Sequence, residues 1–149
     1  MIAGSPDRAY SVVEIAADGR ATPGHTLTVT EASPMSVSVK LVPGSGAVEG
    51  IVQRSGKGVA GAMVVLIPKD PENNRDRFRR DQSDLDGSFS LRDVIPGTYT
   101  VVAIGDGWDL DWSRAPVISR YTALGQTVVV PGQGQEAIRL REPIEVQAK

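Results

Sequence analysis

Residues 83–103 read SDLDGSFSLRDVIPGTYTVVA, and this stretch decides the fold of the chain. Phe89 and Leu91 alternate with polar residues, and the run from residue 98 to 104 is rich in threonine, tyrosine and valine; both patterns predict short β-strands. A turn signal precedes each strand, Asp86-Gly87 in the first case and Pro96-Gly97 in the second. The stretch therefore predicts two strands joined by tight turns, with Phe89 and Leu91 on the face that points to a core.

The same two-residue periodicity recurs on both sides of this stretch. It predicts strands over residues 48–52, 62–67, 127–130 and 137–140. No convincing 3.6-residue stripe is present, and the 16 glycines and 10 prolines provide many turns. Only residues 109–124 break the pattern and predict either a long loop or a helical turn at residues 117–124. The chain is therefore expected to be an all-β sandwich.

An internal repeat sets the expected domain organisation. Residues 10–15, YSVVEI, match residues 99–104, YTVVAI, and similar turns and strands follow each copy. The repeat predicts the C-terminal half of a preceding sandwich at 1–43, a complete domain at 46–142 and a tail at 143–149. Chance similarity between two β-segments is the alternative. A half-domain exposes strand edges, so it is expected to dock on the complete domain or to form an edge-strand dimer with another chain.

Composition narrows the partners. The 16 basic and 18 acidic residues give a formal net charge of −2, and the arginine-rich run at 75–80 is offset by neighbouring acids, so nucleic-acid binding is not expected. No apolar stretch approaches the roughly 20 residues that span a bilayer, which predicts no membrane insertion. The first residues lack the basic and apolar pattern of a signal peptide, so any export signal is expected outside this chain.

Four motifs in order carry a family resemblance. They are Val48-Glu49-Gly50-Ile51-Val52, residues 58–66, residues 83–91 and residues 95–103. Together they resemble the carboxypeptidase regulatory-like domain family. The resemblance implies a transthyretin-like (prealbumin-like), seven-stranded Greek-key β-sandwich. The matched stretch is also similar to tandem copies of such domains in large exported bacterial proteins. This similarity implies an extracellular, periplasmic or cell-surface location. It also implies that the partners are neighbouring domains of the same polypeptide.

Most residues of these motifs have mechanical explanations. Small residues allow close backbone approach, Asx side chains bond their own turns, and glycine takes positive φ. Tyr99 is expected to bury its ring and to bond its hydroxyl across the end of the sandwich. The structural motif residues are Gly61, Ala62, Asp84, Asp86, Gly87, Phe89, Pro96, Gly97 and Tyr99.

The segment after residue 105 concentrates aromatic and charged side chains in one long connection. Exposed rings flanked by carboxylates and guanidinium groups are suited to binding a glycan, through stacking and bidentate hydrogen bonds. The alternative is that both tryptophans plug the open end of the sandwich as a second small core. The candidate ligand-binding residues are Trp108, Trp112, Tyr121, Arg114, Asp109 and Asp111.

Nothing in the sequence predicts catalysis. His25 is the sole histidine, the chain has no cysteine, and neither a nucleophile elbow nor a His-Glu-x-x-His motif occurs. No cofactor and no metal are expected, although the Asp84–Asp86 turn nearly satisfies a calcium-loop pattern. The sequence therefore predicts a non-catalytic structural or interaction module of a larger exported protein, with a carbohydrate-binding module as the alternative.

Overall fold

The computed structural model describes residues 46–132 and 137–149, together with the backbone of residues 10–17, 20–21 and 37–43. The strands, in chain order, are β1 (Tyr10–Ala17), β2 (Arg20–Ala21), β3 (Val37–Pro43), β4 (Gly46–Arg54), β5 (Lys57–Gly58), β6 (Met63–Pro68), β7 (Arg79–Gln82), β8 (Ser88–Val94), β9 (Gly97–Gly105), β10 (Gln126–Val130), β11 (Ile138–Arg139) and β12 (Ile144–Ala148). Helical turns occur at Arg75–Arg77, at α1 (Ala115–Ile118) and at Ser119–Leu124.

The first three strands form a sheet of their own in the order β2-β1-β3. β1 pairs antiparallel with β3, from Tyr10 opposite Pro43 to Ala17 opposite Val37. In the second part of the chain, β9 pairs antiparallel with β10. The expected counterpart of β10 in the repeat, residues 26–29, lies outside the described residues, as does His25. The division into a half-domain and a complete domain therefore stays a prediction.

From residue 46 onward the strands form two layers. One layer runs β7-β6-β9-β10, with antiparallel pairing throughout. The other is centred on β4, which pairs antiparallel with β8 and β5 and parallel with β11. The core between the layers is apolar and includes Val64, Leu66, Phe89, Leu91 and Val101. The predicted all-β sandwich is confirmed.

Every residue of β6 is buried because this strand is covered on both faces. Val64 and Leu66 point into the core, whereas Met63, Val65 and Ile67 belong to a second apolar cluster. This outer cluster lies under the segment between β9 and β10, which contributes Leu110, Trp112, Ile118 and Tyr121. The helical turns in that segment agree with the predicted turn at 117–124. The outer cluster covers a face of the sheet, and Trp112 packs against it.

The C-terminal residues differ from the expected tail. Ile144–Ala148 form β12, which pairs parallel with β4 through Ile144 opposite Val52 and then parallel with β9 through Val146 opposite Ala103. Ile144 is 2% exposed and belongs to the main core. One strand therefore joins the two layers, and residues 143–149 are part of the sandwich.

The charged stretch around residue 80 also contains a strand. β7 pairs with β6, and its side chains reach the edge of β8: Asp81 Oδ2 accepts from the backbone N–H of Ser90 at 2.8 Å, and Arg79 Nε donates to the carbonyl of Asp93 at 3.1 Å. These bonds satisfy backbone groups on the edge of β8. The flank formed by β7 and β8 is thus held by side chain to backbone hydrogen bonds.

Candidate functional site

An arginine lies against both tryptophans on the outer face of the β6–β9 layer. The guanidinium carbon of Arg80 is 5.2 Å from the ring centroid of Trp108 and 4.9 Å from that of Trp112. Phe78 meets Trp112 edge to face, with 6.3 Å between centroids and an interplanar angle of 73°. Cation–π attraction holds the guanidinium against both rings. We call Arg80, Trp108 and Trp112 the tryptophan–arginine stack.

The backbone after β9 fixes the position of Trp108. Asp106 adopts a φ of 53°, and Gly107 follows in a space so tight that a Cβ there would lie 2.9 Å from Ile104 Cγ2. The indole N–H of Trp108 then donates to the carbonyl of Gly61 at 3.2 Å. Trp108 is nevertheless 42% exposed, so one part of its ring is available to a partner.

The other candidate ligand-binding residues differ in their exposure and in their partners. Tyr121 is 5% exposed and packs in the outer cluster. Asp109 forms an ion pair with Lys149, and the hydrogen bond from that ammonium lowers the pKa of the carboxyl. Asp111 and Arg114 are exposed, and the N–H of Arg114 donates to the carbonyl of Asp111 at 3.1 Å.

Arg80 is a residue that sequence reasoning missed. It lies within a charged run that predicts a solvated loop, and no apolar alternation marks β7 as a strand. The available signal was Phe78, two residues earlier, because a strand places both side chains on one face. Its contacts with two tryptophans are long-range and follow from the pairing of β7 with β6.

The Asp84–Gly87 turn is closed by its own groups. The N–H of Gly87 donates to the carbonyl of Asp84 at 2.8 Å, and the hydroxyl of Ser88 donates to Asp86 Oδ1 at 2.6 Å. The Ser88 hydroxyl is the main cause of a lowered pKa at Asp86. Across residues 46–132 and 137–149, no group of His, Cys, Asp and Glu side chains is arranged to hold a metal ion.

Two glycines allow this turn to cross the end of β4. A Cβ at Gly87, where φ is +87°, would collide with the carbonyl oxygen of Val52 and lie 2.9 Å from the Cα of Gly58. A Cβ at Gly58 would collide with the carbonyl of Asp86. The strand β5 and the turn after Gln82 therefore touch backbone to backbone, which only glycine permits.

A buried serine connects the same region to the start of β6. Ser83 is 3% exposed; its Oγ accepts from the N–H of Ala62 at 2.9 Å and donates to the carbonyl of Val59 at 2.6 Å. The backbone of Ser83 also bonds that of Gly61 and Ala62. Gly61 has a φ of +75°, which positions these donors. The residues Gly61 and Ala62 thus act in one hydrogen-bonded corner.

Tyr99 forms a second corner. Its ring is 1% exposed, and its hydroxyl donates to the carbonyl of Ile95, four residues upstream. Pro96 is buried between them, and the side chain of Arg77 approaches Gly97. Burial raises the pKa of Tyr99 to about 12. The bond fixes the turn that leads into β9.

Phe89 packs against the central strand of its own layer. A Cβ at Gly50 would lie 2.8 Å from the ring carbon Cζ of Phe89. Glycine at position 50 of β4 therefore leaves the room that the ring occupies. Phe89 is 4% exposed and belongs to the main core.

An open cleft of about 1070 Å³ lies on the β4–β8 side of the sandwich. Its lining mixes both signs of charge, and several carboxylates are engaged within the protein. Glu49 lies 3.7 Å from Arg139, Asp81 bonds Ser90, and Asp86 bonds Ser88. Internal pairing of this kind leaves no single sign of charge to select a ligand.

The geometry defines a two-layer β-sandwich whose motif residues serve folding. Residues 45–130 match the family described as BOS complex subunit NOMO1-like, second beta sandwich domain, and the chain belongs to that family. A search of curated protein sequences finds no match.

Among solved structures, the chain is similar to the crystal structure of BcpA*(D312A), the major pilin subunit of Bacillus cereus. The identity is 10% and the TM-score 0.42; the match covers 91% of this chain and 56% of the pilin chain, so the chain spans little more than half of that protein. No helix in the described part of the chain has the length and hydropathy needed to cross a membrane.

Proposed function

We propose that this chain is a non-catalytic structural module, a β-sandwich spacer within a larger exported protein. The match of residues 45–130 to a β-sandwich domain of a complex subunit carries the proposal. A relation to carboxypeptidase regulatory-like domains, inferred from the four sequence motifs, is consistent with the same role. Its partners are then the neighbouring domains of the same polypeptide.

The strand order supports a mechanical role. β4 opens the sandwich, β12 ends it, and the two run parallel, with Val52 opposite Ile144 and Gln53 opposite Glu145. Tension applied at the start of β4 and the end of β12 pulls parallel neighbours in opposite directions. The hydrogen bonds of β12 to both layers are then loaded together, in shear, because they lie across the direction of pulling.

Single-molecule pulling with two attachment geometries tests this proposal. Cysteines at Ser45→Cys and at the C-terminal Lys149→Cys load β4 and β12 in shear. Ser55→Cys with Lys149→Cys provides the control, because Ser55 follows β4 and lies at the same end as the C-terminus of β12. We expect a clearly higher unfolding force in the first geometry, since the second opens the strand pairs one after another. Equal forces would contradict the proposed mechanical role.

A second candidate function is glycan binding at the tryptophan–arginine stack. The observation in its favour is the 42% exposure of Trp108 beside the guanidinium of Arg80. An exposed indole offers a face for a sugar ring, and the guanidinium offers hydrogen-bond donors. Tyr121 is excluded from such a platform by its burial in the outer cluster.

A glycan array read together with tryptophan fluorescence tests this candidate. Trp108→Ala is expected to abolish any saturable binding with little change in Tm, because its ring is partly exposed. Trp112→Ala is the comparison, since this ring packs against Phe78 and the outer cluster and its loss lowers Tm. An array that gives no signal with the parent chain would remove the candidate.

A further inference from the structure

The two flanks of the sandwich differ in how their edge strands are bonded. On the β7–β8 flank, Asp81 and Arg79 bond backbone groups of β8 and so occupy its edge. On the other flank, β10 pairs only with β9 among the described residues, and a groove of about 460 Å³ separates it from residues 138–142. A hydrogen bond crosses that groove, from Gln126 Nε2 to the carbonyl of Glu142 at 3.1 Å.

The chemistry of this edge favours addition of another strand. β10 reads QTVVV and contains no charge, proline or bulge, the devices that usually protect an edge. Val129 is 63% exposed, and Leu124, just before the strand, is 69% exposed. An edge that has no strand partner among the described residues and that lies beside exposed apolar side chains is suited to strand addition.

We propose that β10 binds β10 of a second copy of this chain, antiparallel and about a two-fold axis. A register centred on Val128 is self-complementary, because it places Thr127 of each copy opposite Val129 of the other, and cross-strand pairs of β-branched residues stabilise sheets. The groove wall supplies matching charges: Arg141 and Glu142 are adjacent and opposite in sign, so a two-fold axis offers each the other's counterpart. The pairing uses the same edge of both copies and closes at the dimer.

Charge exchange at the two exposed strand positions tests the proposal. In the full chain, T127K/V129K places lysines opposite each other across the proposed axis, and T127E/V129E does the same with glutamates. We expect the parent chain to show a concentration-dependent dimer in sedimentation velocity. Each variant is expected to have a dimer dissociation constant at least about tenfold higher than that of the parent. An equimolar mixture of the two variants is expected to recover a heterodimer.

The matched control is I51K/L85K, which adds the same charge at exposed apolar positions away from β10. Circular dichroism and Tm of each variant establish that it is folded. The control is expected to dimerise like the parent. Three results would overturn the proposal: a parent that stays monomeric, a dimer that survives T127K/V129K, which places the interface elsewhere, or a mixture of folded variants that forms no heterodimer.

Discussion

At the scale of the residue, a close backbone contact explains one motif that the sequence singles out. Gly87 and Gly58 meet where the Asp84–Gly87 turn crosses β5. Gly87→Ala adds a Cβ in a positive-φ conformation against backbone, and we expect a loss of about 3 kcal/mol or more in the free energy of unfolding. Urea denaturation measures it.

Gly56→Ala is the matched control for that substitution. Gly56 has a φ of +78°, but a methyl group at this position would meet nothing within 4 Å. Gly56→Ala therefore introduces the strain of a positive φ without the collision with backbone atoms that Gly87→Ala introduces. The expected cost is about 1 kcal/mol. Equal losses in the two variants would contradict the role given to the backbone contact.

Ser83 provides a second residue-scale prediction. Ser83→Ala leaves the buried N–H of Ala62 without its acceptor, and we expect a loss of about 1–3 kcal/mol in unfolding free energy. Ser88→Ala removes a hydroxyl of the same kind from an exposed turn and is expected to cost about 0.5 kcal/mol. Chemical denaturation of both variants gives the comparison, and a neutral Ser83→Ala would contradict the role given to this hydroxyl.

Tyr99 makes stability depend on alkaline pH. Its pKa is raised to about 12 in the folded protein, above the ordinary value near 10 for an unfolded chain. As pH rises, Tyr99 therefore loses its proton in the unfolded state before it does so in the folded state. The contribution of the protonated hydroxyl to the free energy of unfolding is complete below pH ~10 and is lost as pH rises toward ~12. Tyr99→Phe is expected to be less stable at neutral pH and to lose less between pH ~10 and ~12, measured by urea denaturation across that range. An unchanged slope would contradict the buried hydroxyl.

At the scale of the element, the strands with clear alternation were predictable and the irregular ones were not. Residues 89–91, 98–104 and 127–130 form strands where the pattern places them. β7 was missed because its residues are charged, and its strand conformation depends on pairing with β6 and on side-chain bonds to β8. β12 was missed because a short C-terminal segment gives no local sign of parallel partners some 40 and 90 residues earlier in sequence.

The candidate site shows the same limit. The two tryptophans were identified from composition, and the structure brings them together on Arg80. Tyr121 packs in the same outer cluster as Trp112 but is 5% exposed, and the depth at which a side chain is buried is a property of tertiary packing that the sequence pattern does not give. Its burial with Ile118 in the outer cluster follows from the second apolar face of β6, a strand whose unbroken apolar run is typical of coverage on both sides.

β12 is the element whose packing is most readily measured. Ile144→Ala removes a side chain that is 2% exposed in the main core, and we expect a loss of about 2–4 kcal/mol in unfolding free energy. Val129→Ala, at a position 63% exposed, is the control and is expected to change stability by about 0.5 kcal/mol or less in the monomer. Denaturation at low protein concentration makes the comparison, and a loss at Ile144 no greater than that at Val129 would mean that β12 does not pack as described.

At the scale of the whole molecule, β12 joins the two layers of the sandwich. The family match ends at residue 130, yet β11 and β12 add parallel neighbours to β4, and β12 joins both layers. A spacer that transmits tension needs this continuity, because a frayed last strand would leave β4 and β9 without their shared partner. The proposed shear geometry follows from where β12 lies.

Native-state hydrogen exchange of the β12 amides tests that claim most directly. If β12 is an integral strand, the hydrogen-bonded amides of Ile144–Ala148 exchange with nearly the same opening free energy as those of β4 and β9, since all three separate only when the sandwich unfolds. Exchange of the β12 amides at the rate of an exposed chain, while β4 and β9 stay protected, would show that residues 143–149 are a tail and would contradict the integral last strand.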